Sequence, residues 1–258
     1  MLSTPITVNA TANGLLPRNS LAADSASGNA AGEISETMAL LRGTLAPQRR
    51  VIRAGDVVYR LGERFDNLYV LNSGYCKIVN LSPDGREQVV ALKFRGDWLG
   101  FDGIADRQYT CDAVAIDTGE VWVIPYQALL SACTATPSLL TVMHEAMSRE
   151  IANERESLMS VCTLTAEARV AEFLCYWADS VARRGMRTDR ITLRMTRAEM
   201  GNYLGMTLET VSRSLSRLAK QQLIEFAEKG RRDIRIPCAE ALQGFVAGSL
   251  TPASRVLQ

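Results

Sequence analysis

The segment TRAEMGNYLGMTLETVSRSLSRL, residues 196–218, most constrains the fold, because it encodes two short helices separated by a tight turn. Thr196 and Glu199 have the spacing of a capping box, in which each side chain bonds to the backbone N–H of the other residue. The first helix is predicted to end near Gly205. Thr207 is the predicted N-cap of the second helix. The segment therefore predicts a helix, a tight glycine turn and another helix.

The second helix has one apolar face and one polar face. Its apolar residues recur at helical spacing and predict a buried side: Val211, Leu215 and Leu218. Glu209, Ser212 and Arg213 cluster elsewhere and offer an acceptor, a hydroxyl and a planar guanidinium within about one turn. A merely solvated face is expected to carry longer and more varied charges. This set of side chains suits hydrogen bonding to base edges.

The residues that follow complete a pattern typical of DNA-binding domains. The segment LIEFAEKGRRDIRIP predicts a β-hairpin that turns near Lys229 and Gly230. Two helices, a glycine turn and such a hairpin make a winged helix-turn-helix, whose second helix enters the major groove. There, Arg213 would bind guanine O6 and N7, Glu209 would accept from cytosine N4, and Ser212 would bond to a base or a phosphate.

Phosphate contacts are expected around the same two helices. Five residues are predicted to position the domain on the DNA backbone: Thr196, Arg197, Thr207, Arg217 and Lys220. Residues 190–235 hold ten basic and five acidic side chains, although the whole chain has a net charge of only +1. This local excess of positive charge favours DNA binding. The alternative interpretation is a solvated pair of surface helices with spare arginines.

The rest of the chain predicts an α+β protein with an N-terminal β-roll. Short segments rich in Val, Ile, Leu and Tyr alternate with glycine turns between about 45 and 127, which is typical of an antiparallel barrel or jelly roll. A further helix over about 166–184 is expected to support the C-terminal core. The predicted domains are a disordered extension (1–40), a β-roll effector-type domain (41–136), a dimerisation helix (137–163), a winged helix-turn-helix (164–240) and a C-terminal tail (241–258).

The long helix after Pro137 carries the alternating spacing of a coiled-coil seam. The seam residues are Leu140, His144, Met147, Ile151, Glu154, Leu158 and Val161. Because a lone helix with such a seam needs a partner, the sequence predicts a homodimer about a two-fold axis. Glu154 would then face the same residue of the other copy. This repulsion lowers the stability of the dimer unless Arg149 or Arg155 neutralises the charge. The alternative is that Glu154 extends out of the seam into solvent.

Composition excludes several other classes of protein. The six cysteines are scattered without metal-ligand spacing, so neither a metal nor another cofactor is predicted. No apolar run reaches the length of a membrane span and no leader is evident, so the expected location is the cytoplasm with reduced thiols. Catalytic motifs such as G-x-S-x-G, a P-loop or H-E-x-x-H are absent, and a single histidine leaves little room for acid–base chemistry. An enzyme is therefore not expected.

The segment 196–218, preceded by a β-roll and a dimer helix, resembles the CRP/FNR family of bacterial transcription regulators. The phrases LGFDGIA and MTRAEMGNYLGMTLETVSR are similar to the FNR branch, the regulators of anaerobic gene expression. The resemblance implies a DNA-binding homodimer, a transcription regulator with RNA polymerase as a further partner, and a link to oxygen or redox state. Activation is the expected mode, and repression stays open as the alternative. Glu209, Ser212 and Arg213 match the base-contacting residues of that branch, which implies a palindrome close to TTGAT-N4-ATCAA. The catabolite-activator branch, which has a TGTGA-type target, carries other residues at the positions of Leu208 and Ser212. Its target is therefore the less expected one for this chain.

The chain departs from the pattern of this family in the sensor domain. FNR proteins bind an iron–sulfur cluster through an N-terminal group of cysteines and one more, but here no cysteine precedes Cys76 and Trp122 stands at the position of the last ligand. Oxygen sensing by that route is therefore not expected. Cyclic-nucleotide binders use a glutamate for the ribose and an Arg-Ser pair for the phosphate, where this chain has Phe101 and Tyr109-Thr110, with Arg107 two residues out of register.

Other signals stay open at this level. His144 is the only histidine, and in a helix seam it is more often a packed or pH-responsive residue than a haem ligand. Cys76 or Cys111 as a redox thiol, and a dimer with no ligand at all, remain alternatives. The rival function is a small-ligand-binding module that controls another protein. Glu209, Ser212 and Arg213 argue against it, because such a module has no need of them on a capped helix.

Overall fold

The computed structural model describes residues 23–82, 84–227 and 232–249. Eight strands form two four-stranded antiparallel sheets, with the orders β1-β8-β3-β6 and β2-β7-β4-β5. The strands are β1 (Gln48–Ile52), β2 (Val57–Tyr59), β3 (Asn67–Ser73), β4 (Cys76–Leu81), β5 (Glu87–Lys93), β6 (Trp98–Leu99), β7 (Asp112–Ala115) and β8 (Gly119–Pro125). The predicted β-roll is confirmed.

The roll has an apolar interior shared by both sheets. Leu68 and Val121 come from the first sheet and Ile78 and Ala113 from the second, and all four lie in one buried cluster. Val, Ile and Leu at these positions fit the pleated surfaces of strands. The end of β3 passes close to the start of β8. A side chain at Gly119 would stand 2.2 Å from the carbonyl oxygen of Ser73, so only glycine is tolerated at this position.

The prediction of a disordered extension up to residue 40 is wrong over the helix α1 (Ala23–Leu45). Met38 and Leu41 of this helix are buried in the core of the roll. The guanidinium of Arg42 lies 5.4 Å from the ring centre of Trp122. Low overall hydrophobicity misled the sequence prediction, since a few apolar residues on one face suffice to bind a helix to a larger core. Residues 1–22 lie outside the described residues.

Two helices, α2 (Tyr126–Ala135) and α3 (Pro137–Thr163), connect the roll to the C-terminal domain, which begins with α4 (Ala166–Ala182). The bounds of α3 agree with the predicted dimerisation helix, and Pro137 stands in its first turn, where a missing N–H is tolerated. Leu139, Met143 and Ala146 bury one side of α3 against the roll. Thr165 caps α4 by accepting from the backbone N–H of Ala168.

The C-terminal domain contains the two expected short helices, α5 (Arg197–Leu204) and α6 (Leu208–Lys220). A three-stranded sheet of order β10-β11-β9 lies beside them, with β9 at Arg190–Thr192, β10 at Glu225–Phe226 and β11 at Asp233–Arg235. The pairing of β10 with β11 agrees with the predicted hairpin, whose turn at Lys229 and Gly230 lies outside the described residues.

Two features of this domain differ from the sequence prediction. Strand β9 was not predicted, because its three residues pair with β11, more than forty positions later, without a local signal. The boundary at residue 240 is wrong as well, since residues assigned to a tail form α7 (Ala239–Gly248). Leu242 of α7 is fully buried in the core of the domain, which therefore continues into this helix.

Candidate nucleic-acid interface

The start of α5 has the predicted capping box. The Thr196 hydroxyl accepts from the backbone N–H of Glu199 at 3.2 Å, and the Thr196 N–H donates to Glu199 Oε2 at 2.8 Å. The helix ends at Gly205, which adopts the left-handed conformation with φ of 63°. A side chain at Gly201 would stand 2.5 Å from the carbonyl oxygen of Met206. The glycines thus allow the tight turn that sets α6 against α5.

Helix α6 buries the predicted apolar face, Val211, Leu215 and Leu218, and leaves most of its polar side chains at the surface. Thr207 caps it by accepting from the N–H of Thr210 at 3.2 Å. The buried residues are Val211, Ser214, Leu215 and Leu218, whereas Glu209 and Arg213 are exposed and Ser212 is half-buried. The first turns of α6 therefore present an acceptor, a hydroxyl and a guanidinium to solvent.

Glu209 carries its negative charge at neutral pH. Its pKa is lowered by its own backbone N–H at the start of the helix, by the Thr207 hydroxyl and by the positive charge of Arg213, one turn later. An ionised carboxylate is an acceptor only, which matches the amino group of cytosine.

The five residues predicted to contact phosphates do not all have the same surroundings. Thr196, Thr207 and Lys220 are exposed, and Arg197 is half-buried with Nη1 3.3 Å from the sulfur of Met200. Arg217 differs, because its Nη1 forms an ion pair with the carboxylate of Glu167 in the first turn of α4. Sequence reasoning missed Glu167, which lies fifty positions away and has no local signal.

A cavity of about 460 Å³ opens between the start of α4 and the outer side of α6. It is lined by Thr165, Ala166, Glu167, Thr210, Arg213, Ser214 and Arg217. The structure thus brings Arg213 and Arg217 to one recess beside the backbone N–H groups that begin α4. Two guanidiniums and a helix start favour a polyanion there, and Glu167 opposes it.

Most of the seam of α3 lies on the side of the helix that faces away from the roll, but Met147 packs against the core of the roll. Six of its residues are exposed and one is half-buried: Leu140, His144, Ile151, Glu154, Leu158, Val161 and, half-buried, Met147. Leu158 has 65% and Ile151 48% of its surface exposed, which is unusual for large aliphatic side chains. Arg149 pairs with Glu145 at 3.7 Å within the same helix rather than with Glu154.

The polar groups around Asp102 in the roll bond to one another. The Thr110 N–H and hydroxyl donate to Asp102 Oδ2 at 2.7 and 3.1 Å, and the Cys111 thiol lies 3.2 Å from the same oxygen. Tyr109 is buried, stacks on Tyr59 with ring centres 4.0 Å apart and donates to the carbonyl of Asn67. The donors that a bound anion would use at this place are therefore occupied by Asp102.

The neighbouring positions have structural partners as well. Phe101 stacks on Trp98 with ring centres 5.7 Å apart, and the guanidinium of Arg107 lies 6.0 Å from the ring centre of Tyr126. Trp122 is fully buried, and its Nε1 donates to Glu120 at 3.0 Å. In the described part of the chain, no three His, Cys, Asp or Glu side chains are grouped so that they could hold a metal ion.

The two buried cysteines of the roll are protonated at neutral pH. Burial raises the pKa of the Cys76 thiol to about 12. Burial and the negative charge of Asp102 also raise the pKa of Cys111. Since the thiolate is the reactive form, burial and the raised pKa lower the reactivity of both thiols.

Comparisons with known proteins agree with the two-domain architecture. The family model of the Crp-like helix-turn-helix domain matches residues 168–245, and that of the cyclic nucleotide-binding domain matches residues 49–136. The solved structure of FixK2 from Bradyrhizobium japonicum has a TM-score of 0.69 and 25% identity to this chain. The match covers 81% of this chain and 99% of FixK2.

None of the helices described in the structure has the length and hydropathy that crossing a membrane requires.

Two curated relatives extend over most of the chain. The fumarate and nitrate reduction regulatory protein of Vibrio cholerae is 33% identical over 182 residues, which are 70% of this chain and 73% of the relative. The transcriptional regulatory protein btr of Bordetella pertussis is 33% identical over 200 residues, or 78% of this chain and 83% of the relative.

Proposed function

This chain belongs to the FNR-like branch of the CRP/FNR family of transcription regulators, and from that premise we propose that it is a homodimer that recognises a palindrome. Members of the family bind DNA through the helix-turn-helix domain and are regulators rather than enzymes. The proposed target resembles TTGAT-N4-ATCAA, with one α6 in each half-site.

The observation that carries the proposal is the exposed polar face at the start of α6. Glu209, Ser212 and Arg213 lie within the first two turns of a helix whose opposite side is buried. In the major groove, Arg213 is proposed to bind guanine and the ionised Glu209 to accept from cytosine. Ser212 would bond to an adjacent base or phosphate. Each such base contact discriminates by roughly 1–3 kcal/mol.

Phosphate contacts are proposed for the residues around this face. Thr196 and Thr207 stand at the starts of α5 and α6, where backbone N–H groups and the helix dipole favour an anion. Arg197 and Lys220 add positive charge. Arg217 joins them only when it leaves Glu167. These contacts would position the domain on DNA without specifying sequence.

The exposed seam of α3 supports the proposed homodimer. Leu140, Ile151, Leu158 and Val161 would be buried against the same residues of a second copy. Two half-sites related by a two-fold axis match a palindrome, so the dimer and the target support each other. We further propose transcription activation in contact with RNA polymerase, within the cytoplasm.

The roll is proposed to work without an iron–sulfur cluster or another cofactor. The residues present do not fit a cluster of the FNR type, since no cysteine precedes Cys76 and the last ligand position holds the buried Trp122. The carboxylate of Asp102 also occupies the donors of Thr110, which weakens the case for a cyclic nucleotide. A link to anaerobic or redox metabolism would then lie in the regulated genes.

Binding of air-purified protein to a TTGAT-N4-ATCAA duplex tests the proposal, with a scrambled duplex as control and the salt concentration fixed. We expect specific binding in the presence of oxygen, because no oxygen-labile metal is required. Equal affinity for both duplexes, in air and under anoxia, would contradict the proposed target. Specific binding under anoxia alone would contradict the cluster-free account and indicate a redox or ligand switch.

A further inference from the structure

Helix α5 is bonded to the edge of the roll through the side chain of Asn202. Strand β5 is the last strand of its sheet, so one side of its backbone faces away from the other strands. Asn202 Oδ1 accepts from the N–H of Val89 at 2.5 Å, and Asn202 Nδ2 donates to the carbonyl of Glu87 at 2.6 Å. Gln88 Nε2 in turn donates to the backbone carbonyl of Asn202.

These two bonds repeat the pattern by which strands pair. Glu87 and Val89 are two positions apart, so both direct their backbone groups toward the same edge of the strand. A neighbouring strand would supply one acceptor and one donor at this place. The amide of Asn202 supplies the same pair of groups, because a carboxamide has the donor and the acceptor of a peptide bond. The contact is therefore directional and fixes both the position and the rotation of α5.

An ion pair strengthens the same contact from the next strand. Lys77 Nζ on β4 lies 2.6 Å from Glu199 Oε1, and Glu199 precedes Asn202 by one turn of α5. Burial of Glu199 acts to raise its pKa, but the bonds from Lys77 and Thr196 outweigh this effect and lower it. Both side chains are largely shielded from solvent. The pair therefore restrains the position of α5 more than an exposed salt bridge would.

Apolar packing continues across the two domains beside these polar bonds. Val79, Val89 and Phe94 of the roll belong to the same buried cluster as Trp177 of α4. The ring centres of Phe94 and Trp177 are 5.3 Å apart. Arg184, after α4, donates to Asp97 Oδ1 at 2.7 Å, which adds a further point of attachment. The roll and the helix-turn-helix domain are thus held at several points.

The contact leaves the DNA-facing side of α6 open. Glu209 and Arg213 stay exposed while α5 is bonded to β5, so this arrangement does not obstruct the proposed base contacts. Helix α5 packs directly on α6, and the roll packs directly on α3. Together with the other contacts between the domains, the bonds of Asn202 therefore hold α6 in a set orientation relative to the helix through which two copies are proposed to associate.

We propose that Asn202 is a positioning residue for DNA recognition: by bonding to the edge of β5, it sets the separation of the two α6 helices and so the spacer length that the dimer prefers. The inference rests on the proposed function, since it requires a dimer and a palindrome. One extra base pair moves the half-sites apart by about 3.4 Å and rotates them by about 34°. A rigid pair of α6 helices rejects that change, whereas a loosened pair tolerates it.

The experiment compares wild type, Asn202→Ala and Lys77→Gln on palindromes with spacers of three, four and five base pairs and on scrambled DNA. We expect Asn202→Ala to weaken binding to the best spacer about tenfold, to reduce the preference among spacers to about twofold and to leave scrambled DNA unchanged. Lys77→Gln should act in the same direction with a smaller effect. Asn72→Ala, which removes a bond to Glu120 inside the roll, is the matched control and should keep the wild-type preference.

Hydrogen exchange at the Val89 amide provides a readout that is independent of DNA. It should quicken in Asn202→Ala, while sedimentation still shows a dimer. An unchanged spacer preference despite faster exchange at Val89 would overturn the positioning role. If Asn202→Ala does not fold, Lys77→Gln decides in the same way. Wild type that binds all spacers and scrambled DNA alike would overturn the proposed function itself, a result distinct from the failure of Asn202 alone.

Discussion

Arg217 in the last turn of α6 and Glu167 in the first turn of α4 form an ion pair across the cavity that faces the proposed DNA site. The pair holds a predicted phosphate-binding cation against a carboxylate, so Arg217 would have to leave Glu167 in order to contact a phosphate. In the proposed complex, Glu167 would also bring a negative charge close to the backbone of the duplex. Both effects oppose binding, and neither depends on the DNA sequence.

Glu167→Gln is therefore expected to tighten binding to the palindrome and to scrambled DNA alike, by about threefold at moderate salt. Titration of both duplexes at two salt concentrations measures the effect. Glu63→Gln, which removes a charge from an exposed site on the roll, is the control and should change neither affinity. Weaker binding by Glu167→Gln would instead mean that Glu167 orients Arg217 toward a phosphate.

Arg213→Ala tests the central base contact. Loss of a bidentate bond to guanine should cost roughly 1–3 kcal/mol per half-site and remove most of the preference for the palindrome over scrambled DNA. The dimer should persist, because Arg213 belongs to α6 and all the seam residues belong to α3. Arg86→Ala removes a charge from an exposed arginine on the roll hairpin and should keep the preference. Undiminished sequence preference in Arg213→Ala would refute the assignment.

Local signals explain why the sequence predicted the helix-turn-helix so closely. The capping box of Thr196 and Glu199, the left-handed Gly205 and the cap at Thr207 each act within a few residues. The span of α3 was likewise predictable from its periodic apolar residues and Pro137. The β-roll could be inferred as a class, although the order of its strands could not, because pairing joins distant segments.

Long-range packing accounts for what the sequence did not reveal. The helix α1 has little hydrophobicity of its own and depends on burial of Met38 and Leu41 in the roll. Asn202 looked like an ordinary polar residue of a short helix until its two bonds to β5 were visible. The pairing of Arg217 with Glu167 joins residues that are fifty positions apart. None of these relationships leaves a periodic or local trace in the sequence.

Leu158→Lys tests the proposed dimer through its most exposed large aliphatic residue. Burial of a leucine contributes about 1.5–3 kcal/mol, and the substitution places two like charges near the two-fold axis, so the dimer should weaken by about 3 kcal/mol or more. Sedimentation at several protein concentrations measures this change. Leu81→Lys, at an exposed leucine on the roll, is the matched control and should stay dimeric. A Leu158→Lys protein that remains a tight dimer would place the interface elsewhere.

Reconstitution with iron and sulfide tests the proposed absence of a cluster. Under anoxia with a reductant, the protein should gain no visible cluster absorbance, because Trp122 replaces a thiolate and burial keeps Cys76 protonated. DNA binding should be the same before and after the treatment. Stable cluster absorbance that disappears in a variant lacking Cys76 and Cys111 would show that the roll has metal ligands outside the family pattern.

Glu154→Ala tests whether the charge of Glu154 in the seam weakens the proposed dimer. Glu154 is exposed on the seam, and Arg149, one of its two candidate counter-ions, pairs with Glu145 instead. In a parallel pair of α3 helices the two Glu154 carboxylates repel each other by about 0.5 kcal/mol if they lie about 8 Å apart in water, and by more if solvent is excluded. Removal of both charges should therefore tighten the dimer about twofold or more in sedimentation experiments, with a smaller gain at high salt.

Glu156→Ala, on the same helix outside the seam, should leave the dimer unchanged. A weaker Glu154→Ala dimer would mean that Glu154 pairs with an arginine of the other subunit, and the repulsion account would then be wrong.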